Sequence, residues 1–474
     1  MTAPRSTAPE TATTRPAWVL LVVGLGTLLN TLAGSSVNLA LPVIGDEMGI
    51  GVALSRWVLL SFMLMVSVLL LAAGRASDLL GHRTTYLGGF ALFGLSSLLC
   101  GASATFWPLM AGRLLQGTGA ALTMAASPAL LTTSFPVAQR GRALGLLATA
   151  TYVGLTIGPP FGGAVISALG WRWIFFINVP GAVVTIALGL RFLPAGRRRR
   201  HVPFDVPGML TLFAGMPLLL LALTQGQRWG WSAPTFATGA GGLLLFGLFV
   251  AVERRRAEPL LDLSLFRSPT FSGAAASAFC NYVAIFVPII LLPFYLLEAH
   301  QLGPSRAGVV LAVMPLLMAL VASPAGSLSD RIGTRGLAVG GLLLQTVALV
   351  GLGQLGVLPP GSGGADLHAA LWLGLLGLGT GLFITPNSSA LMGAAPRGAQ
   401  GTAGGVLALS RTTGMLGGVA LGTAVFAAAG GRTGRHRWAA DSLGGLRAAL
   451  LMGAGASLVG ALAAALRGRA KPAE

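Results

Sequence analysis

The sequence predicts an all-α integral membrane protein of about fourteen transmembrane helices, arranged as two pseudo-symmetric six-helix halves plus an inserted helix pair. Three observations carry that expectation. Only 9% of the 474 residues are charged and 54% are hydrophobic, whereas a water-soluble domain has roughly a quarter of its residues charged. Apolar runs of about 20 residues, the length that crosses the hydrocarbon core as a helix, recur from end to end. One short pattern, described below, occurs twice. The runs are continuous and do not alternate, which selects helices over a barrel.

The first run, 17–43, follows a polar tail bearing Arg5 and Arg15. It is longer than the apolar stretch of about 7–15 residues in a signal peptide, so it reads as a retained first helix. Runs at 54–74, 84–103, 107–131, 142–168 and 174–194 complete the N-terminal half, residues 1–194. Arg197–Arg200 and Arg254–Arg256 bracket two runs, 206–225 and 234–252, which form the inserted pair of residues 195–268 with its basic loops. Runs at 271–297, 304–325, 336–356, 368–391, 401–427 and 445–466 make the C-terminal half, residues 269–474.

Two residue classes orient these spans. Arg75, Arg83, Arg140, Arg142, Arg197–Arg200, Arg254–Arg256, Arg331, Arg335 and Lys471 fall in loops on the side of the chain termini. Positive charge marks the cytoplasmic side, so both termini are expected there. Lys471 is the one lysine among 31 basic residues and Ala and Gly abound, the mark of a GC-rich bacterial genome, so a multi-pass protein of a bacterial cytoplasmic membrane is expected. Trp57, Trp107, Trp171, Trp173, Trp229, Trp231, Trp372 and Trp438 fall at the opposite ends, where amphipathic indole meets headgroups; only Trp18 lies on the terminal side. The loop carrying Arg432, Arg435, Arg437 and Arg447 dissents from the charge rule, although its Trp438 agrees.

The same residues exclude several function classes. A net charge of +18 suggests nucleic acid in a soluble chain, but here the arginines sit in short clusters between apolar runs. Cys100 and Cys280 lie far apart within runs and imply neither disulfide nor metal chemistry. His82, His201, His300, His368 and His436 are scattered over loops on both faces without an acid partner, so no catalytic residue, metal or cofactor is expected. A polytopic membrane enzyme is thereby the weaker rival to a transporter. No phosphate-cradling Gly-x-x-x-x-Gly-Lys-Ser/Thr segment exists, which leaves an ion gradient as the drive.

The doubled pattern is G-x-x-x-D-x-x-G-x-R. It reads Gly74, Asp78, Gly81 and Arg83 in the first copy, and Gly326, Asp330, Gly333 and Arg335 in the second, with Arg331 beside the second Asp. The aspartates are 330 − 78 = 252 residues apart. Eight helix-plus-loop units of 252/8 = 31.5 residues match the whole-chain value of 474/14 ≈ 34; six would need 42 each. Gly81 and Gly333 permit a sharp turn, and the Asp can hold an Arg or a helix N-terminus as a latch at the inner mouth.

Further segments have physical readings of their own. Gly154, Gly158 and Gly162 recur every four residues and make one smooth face for close helix contact, while Pro159 and Pro160 interrupt the ladder beside them. Arg113 lies inside a span, where a charge costs about 2.5–3.5 kcal/mol, so it is expected to face a wet cavity or a polar partner such as Gln116. Arg411 is similarly placed.

On these residues the chain resembles the major facilitator superfamily, specifically its fourteen-helix drug:proton antiporter branch of the EmrB/QacA type. The doubled loop resembles the family's loop signature. Arg113 to Ala121 resembles the fourth-helix signature, and Gly154 to Gly163 resembles the fifth-helix motif associated with exporters. Trp171 to Gly181 is similar to a segment typical of the fourteen-helix branch. The resemblance implies alternating-access exchange of a small molecule for protons, with Asp78 in gating and Arg113 in modulating a proton site. A monomer is expected, and uptake by the same fold is the alternative.

The first helix ends Ser36-Val37-Asn38-Leu39-Ala40-Leu41-Pro42, but where the family's motif carries an aspartate this chain has Ala33. None of the 13 acids falls in the middle of a span. A buried cation needs a carboxylate, so neutral or anionic amphipathic substrates are expected. The polar groups left to line a cavity are Asn30, Asn38, Arg113, Gln116, Tyr152, Asn281, Asn387 and Arg411.

Overall fold

The computed structural model describes residues 16–194, 206–225, 232–255, 263–354, 364–396, 400–431 and 442–467. The described chain runs through fifteen α-helices: α1 (Pro16–Glu47), α2 (Val52–Leu80), α3 (His82–Ala102), α4 (Phe106–Ser134), α5 (Val137–Leu169), α6 (Arg172–Phe176), α7 (Asn178–Phe192), α8 (Val206–Gln225), α9 (Ala233–Arg255), α10 (Pro269–Phe294), α11 (Pro304–Ile332), α12 (Thr334–Leu352), α13 (Gly364–Gly393), α14 (Gln400–Ala428) and α15 (Ser442–Ala465). Among the described residues eleven helical segments are long and apolar enough to cross a membrane, or twelve if the bent α2 counts as one span. The short α6 and α7 form one of them, Arg172–Phe192. α8 and α14, 20 and 29 residues long, stand where the seventh and thirteenth spans are expected, and a count of fourteen requires both. The basic clusters at 197–200, Trp229, Trp231, the dissenting arginines 432–437 and Lys471 lie outside the described residues.

Local chemistry accounts for several boundaries. Gly81 and Gly333 each sit in the left-handed region, at φ 93° and 88°, a conformation glycine adopts without a Cβ clash. Each ends one helix and starts the next within a single residue, as the doubled pattern predicts. The Ser268 hydroxyl accepts from the Phe271 N–H ahead of Pro269, capping the start of α10. In α2 the Ser67 hydroxyl bonds back to the Met63 carbonyl at 2.8 Å, a competition that often bends helices, and the axis turns by 57° between Leu70 and Ala72.

Packing repeats. In the first group of helices α1 rests on α5 and α7, α2 on α4, and α3 on α4 and α7. In the second, α10 rests on α14 and α15, α11 on α13, and α12 on α13 and α15. The second set repeats the first in the same order. α8 and α9 pack chiefly on each other, with α8 touching α2 and α14.

The two groups meet along α5 with α11, along α2 with α14, and where α1 touches α10 and α11. The meeting is one-sided. At the end remote from the doubled loop, one continuous core takes Val37, Leu41 and Phe175 from the first group and Leu291, Met314 and Leu416 from the second. At the end carrying the doubled loop, Val22, Tyr86, Phe90 and Leu131 form a core of the first group alone. Phe271, Leu391 and Ala403 form another with Phe249 of α9, and Leu342, Phe383 and Ala461 a third. The bundle is therefore closed at the far end and divided at the doubled-loop end.

Candidate functional site

The closed end rests on glycine. A Cβ added at Gly154 would lie 2.9 Å from Thr31 Cβ, and one at Gly162 would lie 2.9 Å from Ser36 Cβ, so α5 lies flat against α1. Ser36 Oγ donates to the Gly158 carbonyl at 3.0 Å and Ser35 Oγ to the Gly154 carbonyl at 3.2 Å. These contacts are the smooth face expected from the four-residue spacing. The next face of α5 carries Gly163, Pro159 and Pro160 and meets α11. An added Cβ at Gly163 would stand 2.3 Å from the Pro304 carbonyl oxygen, and one at Gly308 would stand 2.3 Å from the Pro159 carbonyl oxygen. Backbone thus meets backbone across the seam between the groups.

Across the other seam, Arg56 Nη1 of α2 donates to Thr423 Oγ1 of α14 at 2.7 Å, with both residues buried. Sequence reading missed this pair because the partners are 367 positions apart. The one local signal was an arginine inside the predicted second span. Glu47 at the end of α1 accepts from Trp171 Nε1 at 2.6 Å and pairs with Arg172, tying α1 to α6 at the same end.

At the doubled loop Asp78 and Arg83 of the first copy do not pair with each other. Arg83 donates to the Leu190 carbonyl at 2.6 Å, at the C-terminus of α7 where the helix dipole favours a cation. Asp78 is half-buried and has no hydrogen-bond or ion-pair partner among the described residues. Ser77 Oγ lies 2.8 Å from His82 Nδ1. In the second copy Arg331 and Arg335 are exposed, Gly326 faces Thr385, and the Asp330 side chain lies outside the described residues. An added Cβ at Gly74 would meet nothing.

Of the residues expected around a cavity, several are sealed inside one group or the other. Arg113 is fully buried. Its Nε donates to the Val58 carbonyl at 2.7 Å, its Nη1 to Gln116 Oε1, and Gln116 Nε2 to Ser97 Oγ at 2.7 Å. The guanidinium stacks over Phe62, 4.5 Å from the ring centroid. Of the two environments expected for Arg113, the polar partner is present and the wet cavity is not. Asn30 donates to Thr123 Oγ1 at 2.8 Å within the same group.

In the second group Gln345, absent from the sequence expectations, binds Asn281 Oδ1 at 2.6 Å and Thr380 Oγ1 at 2.7 Å, and accepts from Ser457 at 3.0 Å. Asn387 donates to the Ala274 carbonyl at 3.0 Å and accepts from Ser277 and from Arg467, just beyond α15. Burial pulls the Arg467 guanidinium down to about 10, and its Nε and Nη1 have no acceptor. Asn281, Asn387, Arg113 and Gln116 thus act as packing knots in this conformation.

Of the expected groups, Asn38 and Tyr152 in the first group and Arg411 in the second remain, and Tyr282, which the sequence did not single out, joins them. Tyr152 of α5, Tyr282 of α10 and Arg411 of α14 are half-buried and within electrostatic reach of one another. Asn38, also half-buried, has a carbonyl oxygen shut off from solvent without a donor. A place where polar side chains of both groups converge below a closed end and above a divided one is a site that can hold a solute.

Comparison with known proteins bears on this geometry. The sequence profile described as Major Facilitator Superfamily matches residues 23–418 and again 274–474. The riboflavin transporter RibZ of Clostridioides difficile is 32% identical over 410 residues, covering 86% of this chain and 87% of that protein. The tetracenomycin C resistance and export protein of Streptomyces glaucescens is 31% identical over 413 residues, covering 87% of this chain and 75% of that protein. Among solved structures, a POT family transporter in complex with a thioalcohol-conjugated peptide superimposes with a TM-score of 0.71 at 13% identity, over 94% of both chains.

Proposed function

The chain belongs to the Major Facilitator Superfamily, and on that premise we propose that it is a proton-driven exporter of amphipathic drugs, antibiotics or related metabolites. The observation that carries the reading is the one-sided core. Two groups of like-packed helices share apolar contacts at one end only, as alternating access through a central site requires. The similarity to a protein named for tetracenomycin C resistance and export supports the outward direction. Residues 1–194 and 269–474 are the two halves, residues 195–268 the inserted pair, and α8 and α14 complete fourteen spans. The doubled-loop end with its arginines faces the cytosol of a bacterial cell, together with both termini, and the protein works as a monomer.

In this orientation the conformation is inward-open. Asp78 is without a partner because the helices it would latch have separated; when the cytosolic end closes it takes an arginine or a helix N-terminus, and the far-end core parts. One proton entering down a membrane potential of about 100 mV supplies about 2.3 kcal/mol. At about 1.4 kcal/mol per decade that sustains a substrate gradient of roughly 50-fold. Arg113, held without a carboxylate, modulates the proton site through the α2–α4 contact it pins.

Proteoliposomes with an imposed pH gradient, loaded in turn with members of an antibiotic panel, test the reading. Substrate movement against its gradient when protons run the opposite way is expected; movement indifferent to the gradient, or none for any panel member, contradicts it. Uptake by the same fold is the second reading, since the relative named a riboflavin transporter carries no direction in its name. Symport in the same vesicles would select it.

A further inference from the structure

The clearest unexplained charge in the interior is Arg411. It starts the face of α14 that continues, at three and seven residues' distance, through Gly414 and Gly418, and that face lies on α10. An added Cβ at Gly414 would stand 2.6 Å from the Phe279 carbonyl oxygen and 2.8 Å from Tyr282 Cβ. Arg411 emerges where this tight contact ends, on the side of the divided cores.

Depth follows from helix geometry. Arg411 lies 411 − 400 = 11 residues into α14, Tyr282 282 − 269 = 13 into α10, and Tyr152 152 − 137 = 15 into α5. At 1.5 Å per residue all three are about 16–22 Å from the doubled-loop end, near the bilayer midplane. Arg411 has no acceptor among the described residues, its Nε is shut off from solvent, and no acidic side chain pairs with it. The other mid-span arginine, Arg113, has its Nε and Nη1 committed to Val58 and Gln116. The phenol groups of Tyr152 and Tyr282 likewise have no hydrogen-bond partner among the described residues.

A guanidinium kept at membrane depth without a carboxylate is costly unless something anionic visits it. We propose that Arg411, with Tyr152 and Tyr282, forms an anion-docking site, so that the transported molecules carry an ionised carboxylate, phenolate or comparable oxygen group on an aromatic body. The guanidinium takes the anionic oxygens through charge-assisted hydrogen bonds. The two tyrosines supply ring faces and O–H donors from opposite sides, Tyr152 from the first group and Tyr282 from the second. Because the site spans both groups, an anion bound there draws them together. The proposal rests on the exporter reading for what the site is for, and on the geometry alone for what it binds.

Fluorescein and rhodamine 123 test it, since they share one xanthene body and differ in charge. Purified protein in detergent is titrated with each dye by fluorescence polarisation, and reconstituted protein is assayed for movement of both. Binding of fluorescein in preference to rhodamine 123 is expected, weakened roughly tenfold or more by Arg411→Gln, partly restored by Arg411→Lys, and weakened about threefold by Tyr152→Phe or Tyr282→Phe. The conservative Tyr variants and an unchanged gel-filtration profile separate loss of the site from loss of the fold. Absence of fluorescein binding to the parent protein, equal binding of the two dyes, or binding untouched by R411Q overturns the anion site. Transport of rhodamine 123 with none of fluorescein overturns it too while leaving the exporter reading intact. Fluorescein binding that depends on Arg411 without any transport keeps the site and removes the exporter.

Discussion

Adding one methyl group at Gly308 should push the two helix groups apart at the end where they now share a core. The new carbon would stand 2.3 Å from the Pro159 carbonyl oxygen, 2.9 Å from its carbon and 3.1 Å from Pro160 Cα. These are backbone atoms and no rotamer moves them aside. Relief to ordinary contact near 3.3 Å requires α5 and α11 to part by about 1 Å. Overpacking of this kind costs about 1–3 kcal/mol, which at 1.4 kcal/mol per decade moves the equilibrium roughly 5–150-fold away from the closed far end. Spin labels at exposed Leu169 and Leu367 report the far end, and labels at exposed Leu80 and Ile332 the doubled-loop end, with Cys100 and Cys280 replaced by alanine. Gly308→Ala should lengthen the first distance and shorten the second. Gly340→Ala, whose added carbon meets nothing within 4 Å, should change neither. Distance distributions identical in parent and Gly308→Ala would refute the reasoning.

Other outcomes follow from the same contacts. Asp78→Asn should abolish drug resistance with the protein still in the membrane at the parent level, and full resistance would remove Asp78 from the gate. Arg113→Ala should abolish resistance too, and should lower stability by about 1–3 kcal/mol by leaving Gln116 and the Val58 carbonyl sealed without a donor; an unaltered melting midpoint contradicts that. Thr423→Val removes one acceptor of Arg56, the one across the seam, and should favour far-end opening in the Leu169–Leu367 distance, by about 1.5–3 kcal/mol for a bond to a charged donor. Burial lowers the pKa of His300 from 6.5 against the opposing pull of Asp366, so the neutral ring is the folded form. Its contribution is complete above pH 6.5 and is lost as pH falls through the lower folded value. The melting midpoint should therefore decline more steeply below pH 6.5 in the parent than in His300→Gln, and parallel profiles would exclude the residue.

What could be read from the chain depended on how local its cause was. The spans were legible because a helix in lipid must satisfy its own backbone within one segment. Gly81 and Gly333 were legible because a one-residue reversal between helices needs a residue free of Cβ, and the Gly154–Gly158–Gly162 face because its spacing is helical. Membership of the superfamily was visible in the same segments. The side-chain environments were not. Nothing near Asn387 announces Arg467, 80 positions away, and nothing near Asn281 announces Gln345, yet those partners hold both amide oxygens inside a group. The exposed side of a polar residue depends on helix rotation and on which gate is closed. Of the eight expected cavity groups, Tyr152, Arg411 and Asn38, which make no side-chain hydrogen bond among the described residues, keep the character the sequence suggested.

A single thiol placed at position 152 by Tyr152→Cys, in a chain with Cys100 and Cys280 replaced by alanine, asks directly whether the two groups enclose a route open to one side at a time. A membrane-impermeant maleimide should reach it at rest only from the doubled-loop side of oriented vesicles, and from the opposite side once Thr423→Val or a proton gradient favours far-end opening. A thiol that reacts from neither side in any of these conditions, or from both sides at once, would contradict alternating access in this protein.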